Sequence, residues 1–209
     1  MKLSHRFSPA LIVLLACTLL ITGTVACSQT VYQEIVTYVN EFLPIAEAVA
    51  NLVIATETPA VASQAQSVET QVNNDLQLIE TTASTITAAN YSSQRAQIVS
   101  LAAYAKGQLN SYLTAVHISD PATVAKVTAY VDLGNAVIDE IVNALPAQQP
   151  SAKQMSAFKV NVGNIRVNYK RQFNRITAEK SGDAKVDAVL AKTPRFFVLG
   201  WHNFYPTFR

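Results

Sequence analysis

The residues that most often carry reactions are few in this chain and badly spaced for it. There are three histidines, His5, His117 and His202. No pair of them has the i, i+4 spacing with an intervening Glu that holds zinc on a helix, so no metal and no cofactor is expected. Asp139 and Glu140 are adjacent. On a helix they point about 100° apart, which suits a solvated face better than a carboxylate pair. The chain has no GxSxG, no P-loop and no GxGxxG, and its many serines have no neighbouring base. The two cysteines are Cys17 and Cys27, with none after them. Disulfides, thiolate metal sites and a cysteine nucleophile are therefore excluded for the rest of the chain. The inventory predicts a protein that is not an enzyme. The alternative is an enzyme whose site is assembled from scattered residues that the sequence does not reveal.

Two other groups of residues could carry interactions. Lys159, Arg166, Lys170, Arg171 and Arg175, with Tyr169 and Phe173 between them, make a basic stretch able to hold phosphates. The bland reading is that this stretch lies over acidic helices and neutralises them. The second group is the aromatic tail, with Phe196, Phe197, Trp201, Phe204, Tyr205 and Phe208. Such residues suit a docking peptide for a partner, or a strap closing one end of the fold.

Both groups need a scaffold, and the apolar spacing supplies one. Half of the residues are hydrophobic, glycines number six, and the apolar set is rich in Ala, Val, Ile and Leu. Apolar residues recur at intervals of three and four over 30–57, 58–88, 93–116 and 120–145, the period of one helical face. Pro44 predicts a kink, or an end near Phe42 and a new start. Ser92 or Ser93 is placed to cap the third helix, and Ser119-Asp120-Pro121 is the clearest start signal. Gly107 weakens its helix unless it allows a close contact. Over 158–169 two patterns compete. Phe158, Val162, Ile165, Tyr169, Phe173 and Ile176 follow a helical face, whereas Phe158-Val160-Val162 and Ile165-Val167-Tyr169 alternate around Gly163-Asn164 as a hairpin would. The helix is the better reading, since the pattern runs on past any hairpin. A short helix follows to Lys192.

The expected fold is all-α: an antiparallel, up-down bundle of four to five long helices, with a short C-terminal helix and an aromatic tail. Charge divides it. Between Ser28 and Pro150 there are three basic residues against eleven acids, and from Ser151 to Arg209 eleven basic against three acids. The sign changes at Pro146–Pro150, the one obvious linker. The division is therefore 1–26 as a signal peptide, 27–146 as an acidic helical bundle, 151–192 as a basic segment packing on it and 193–209 as the tail.

Lys2 and Arg6 precede the apolar run Ala10–Ile21, which ends in small residues. That order is a secretory address. It is interrupted by Thr18, Thr22, Gly23 and Thr24, so it falls short of the roughly 20 apolar residues of a membrane span. Its end, Thr24-Val25-Ala26-Cys27, resembles the lipobox of bacterial lipoproteins. The resemblance covers residues 1–27 only. It implies cleavage before Cys27, lipid (palmitate among the acyl groups) on that cysteine, and membrane attachment through it. Ser28 implies sorting to the outer membrane where the cell has two. The expected role is structural or binding at the bacterial cell envelope, with an envelope protein, anionic lipid or cell-wall polymer as partner and no nucleic acid. A membrane-active, pore-forming bundle is the other class. Its best inserting stretch, Ile45–Ala55, has about half the length needed.

Overall fold

The computed structural model describes residues 44–87 and 89–196. The expected address over 1–26, Cys27, the part of the first helix before Pro44, and the tail from Phe197 onward lie outside the described residues. Within them the chain forms six helices and no strand. They are α1 (44–56), α2 (Pro59–Ser84), α3 (Tyr91–Thr114), α4 (Pro121–Ala144), α5 (Ala152–Ala178) and α6 (Ala184–Lys192).

The ends of these helices follow from side chains that bond to nearby backbone. α2 stops at Ser84, earlier than the apolar pattern predicts. Thr81, Ser84 and Thr85 donate their hydroxyls to carbonyls three or four residues back. Such side chains compete with the helix for its own acceptors. Asn90 then closes the turn, accepting from the Thr87 N–H at 2.6 Å and donating to the Thr85 carbonyl at 3.0 Å. α3 therefore begins at Tyr91, before the serines expected to cap it. The Ser93 hydroxyl donates back to the Asn90 carbonyl instead of accepting an N–H. α4 starts where expected, with the Asp120 carboxylate accepting from the Thr123 N–H and hydroxyl, both at 2.6 Å. Residues 158–169 are helical, which removes the hairpin. The start of α5 carries a reciprocal cap. The Ser151 side chain accepts the Gln154 N–H, and the Gln154 side chain accepts the Ser151 N–H. The S-x-x-Q spacing is its signature. Between α5 and α6 the chain reverses at Gly182, whose φ of +85° only glycine adopts without strain.

Each helix from α2 to α6 packs on the next one in the chain. The pairings join the start of one to the end of its neighbour. Tyr112 reaches the Ala65 carbonyl, Arg95 the Leu145 carbonyl, and Lys126 the carbonyls of Ile176 and Glu179. The linker after α4 is likewise held, because the Tyr91 hydroxyl donates to the Pro146 carbonyl at 2.6 Å.

The stretch that offered itself for membrane insertion is the centre of the core. Ile45, Ala46, Ala48, Val49, Leu52 and Val53 of α1 are all buried. With Ala50, also buried, they span an arc of roughly 200° at 100° per residue, wider than one amphipathic stripe. Glu47, Asn51, Ile54 and Ala55 form the strip left exposed. Close approach of Leu109 on α3 to the backbone of α4 is made possible by Gly134. A methyl group there would stand 3.0 Å from Leu109 Cδ1 and 3.6 Å from Ile45 Cδ1. Gly107, by contrast, has nothing near it. Val162, Tyr169, Phe173, Ile176, Val186 and Leu190 belong to the same hydrophobic core as α1–α4. The acidic and basic parts of the chain thus share one interior.

Candidate functional site

α5 is the element on which the interaction candidates meet. Its inner face is set by Val162, Tyr169, Phe173 and Ile176, all buried. Phe173 lies 5.3 Å from Tyr130 of α4 and 6.0 Å from Tyr169, ring centre to ring centre. Phe196 completes the cluster, edge-on to Phe173 at 5.1 Å and 5.4 Å from Tyr169. Ring pairs at these separations add to the burial itself. The backbone of Phe196 is also gripped. Asn174 donates to its carbonyl at 2.6 Å and accepts its N–H at 2.8 Å. The first aromatic of the expected docking tail is therefore strapped onto α5. Phe197, Trp201, Phe204, Tyr205 and Phe208 lie outside the described residues.

The five basic residues do not form one stripe. Lys159, Arg166 and Lys170 fall within about 40° of one another around the helix, on the flank beside the inner face. Arg166 and Lys170 are half-buried there, with the Lys170 ammonium 5.5 Å from the centre of the Phe196 ring. Lys159 is placed by its helix alone. Arg171 and Arg175 lie roughly 100–140° further round, and both are exposed. The 100° step from residue 170 to 171 causes the split, and the Phe196 strap covers only one side of it. With Arg171 and Arg175 on the outer face are Lys153, Val160 and Val167, the two valines 63 % and 39 % exposed. No acid occurs from Ser151 to Ala178.

Asp139 pairs with Lys106 of α3 at 2.6 Å. Lys126 is the buried cation of α4, 7 % exposed. It closes the end of α5 by donating to the Ile176 carbonyl at 3.1 Å and the Glu179 carbonyl at 2.7 Å, with the Glu179 carboxylate 3.9 Å away. Neither pair uses Arg171 or Arg175. No motif marked Lys126. Its one signal was a lysine at a position otherwise reading as apolar.

Titratable groups displaced from their ordinary values stand at helix junctions and along α2. Partial desolvation pushes the Glu57 carboxyl up. The N–H of Asp120, with the hydroxyl and N–H of Ser119, outweighs this and holds it below the usual range. These bonds tie the end of α1 to the start of α4. Asp120 is held low by the Thr123 hydroxyl and N–H. Asp187 is held low by the N–H and hydroxyl of Ser181. Along α2, desolvation raises Glu69, with Glu47 adding to it, and raises Asp75. Burial raises the phenols of Tyr112 and Tyr130. His117 is exposed beyond the end of α3. Among the described residues no three of His, Cys, Asp and Glu come together as a metal set.

No protein-family model matches the chain, and no curated protein or solved structure matches it either.

Proposed function

We propose that the chain is an exported, lipid-anchored helical protein of the bacterial cell envelope, tethered through Cys27. Its outward face on α5 meets phosphates of anionic lipid headgroups. The observation that carries this reading is the exposure of Arg171 and Arg175, beside Lys153, Val160 and Val167, on a helix without acids. Each cation near an anionic surface is worth about 1 kcal/mol, screened by salt, and exposed valines can settle at the headgroup level. No reaction is assigned, because the displaced carboxyls that do meet, Glu57 and Asp120, are taken up by the backbone and hydroxyl donors that join α1 to α4.

The test is co-sedimentation with vesicles. Binding to phosphatidylglycerol vesicles is expected at low salt and is expected to weaken at high salt. It should fall by at least about tenfold in Arg171→Glu/Arg175→Glu. Equal binding to zwitterionic vesicles, or binding indifferent to salt, would sink the proposal. Retention by purified cell wall alone would move the partner from lipid to polymer. Labelling with a palmitate analogue, lost in Cys27→Ala, tests the tether. The pore-forming alternative requires α1 to leave the core, and among the described residues no helix is long and apolar enough to cross a membrane. Leakage from vesicles would favour that alternative.

A further inference from the structure

We propose that the groove between α1 and the segment from α6 to Phe196 binds a single-chain amphiphile with an anionic head, a long-chain carboxylate in chemical class. The exposed strip of α1 is one wall, with Asn51, Ile54 and Ala55. Val189, Pro194 and Phe196 form the other, and Phe173 lies at the base. The space measures about 550 Å³. Small-molecule sites fall in the range of roughly 300–1,000 Å³, mostly apolar with a few polar groups that orient the ligand.

The polar groups are arranged to orient a head. Lys192, the last residue of α6, and Arg195, just beyond Pro194, both line the groove and both are exposed. Neither joins the ion pairs found among the described residues. Two cations three residues apart offer a carboxylate charge-assisted hydrogen bonds, stronger than neutral ones. Glu47 stands on the α1 wall and repels the same head, which keeps it on the α6 side. An acyl chain would then cover Ile54, which is 38 % exposed, and the open side of Phe196. The groove shares no residue with the outer face of α5, so the two assignments stand or fall separately.

The experiment is photo-crosslinking of a diazirine-bearing palmitate to the whole chain in its own membrane, followed by peptide mapping. Crosslinks are expected within 47–55 and 189–196, competed away by unlabelled palmitate. A long-chain amine should not compete. Competition by lysophosphatidylglycerol at lower concentration than palmitate would identify a lysolipid as the source of the anionic chain. Ala55→Trp fills the groove from an exposed position and should cut labelling by about tenfold. Lys192→Glu/Arg195→Glu should cut it comparably without touching the core. Labelling elsewhere, labelling that competitor does not reduce, or labelling unchanged in both variants overturns the proposal. Groove labelling seen only after removal of residues 197–209 also overturns it, and assigns the groove to the chain's own C-terminal segment.

Discussion

α4 and α5 are of similar length and lie side by side, yet they are finished in opposite ways. α4 is enclosed: ten of its residues are buried, among them Lys126, Tyr130 and Gly134. Its start is tied by Glu57 and Asp120, and its exposed Asp139 is paired. α5 is enclosed on one side only. Tyr169, Phe173 and Ile176 are buried, while Arg171 and Arg175 face water. Neighbouring helices in one fold can thus divide the work. In the first, Lys126, Asp120 and Asp139 hold the architecture together, whereas the second presents Arg171 and Arg175 to water.

The contrast can be broken most forcefully at the seam. Phe173→Ala removes the ring that Tyr130, Tyr169 and Phe196 all pack against, and should cost about 3–5 kcal/mol in denaturant unfolding. Lys126→Met keeps the length of the side chain but leaves two carbonyls at the end of α5 without their donor. A loss of about 1–3 kcal/mol is expected, concentrated in hydrogen exchange of the last turn of α5. Gly134→Leu, one turn beyond Tyr130 on α4, drives a side chain into Leu109 and Ile45 and should cost about 1–3 kcal/mol.

The start of α4 is tested by pH. Glu57 and Asp120 are lowered in the fold, so the unfolded chain binds protons more readily. Their contribution is complete above the ordinary carboxylate values and is lost as pH falls through the lowered ones. Glu57→Gln should flatten that acid limb of the melting temperature. Glu69 has the opposite sign, being raised, so its cost appears as pH rises, and Glu69→Gln should raise the melting temperature at neutral pH. The smallest effect belongs to the outer face of α5. Arg171→Glu/Arg175→Glu should change stability by no more than about 0.5 kcal/mol, while the proposed vesicle binding is expected to fall by at least about tenfold. A large loss of stability would place these cations in the architecture with α4.

Residue types and spacing alone were enough to make the chain all-α and to start α4 at Pro121. Those features are local: a period of three to four, and a cap within three residues. The same local rules placed the basic residues on α5, but treated Lys159 to Arg175 as one surface. The helical step already turns Arg171 about 100° from Lys170, and the fold adds the Phe196 ring against Lys170 while Arg171 stays in solvent. The sequence also pointed to Ile45–Ala55 as a stretch that could insert in a membrane. Its hydrophobicity was legible, but its partners were not, since Leu76, Leu109 and Ile138 come from three distant parts of the chain. Nothing local marks Lys126 as a buried cation, because the Ile176 carbonyl it satisfies lies 50 residues away. Helical character is decided by neighbours along the chain. Which face of a helix is left for a partner is decided by what the rest of the fold has already covered.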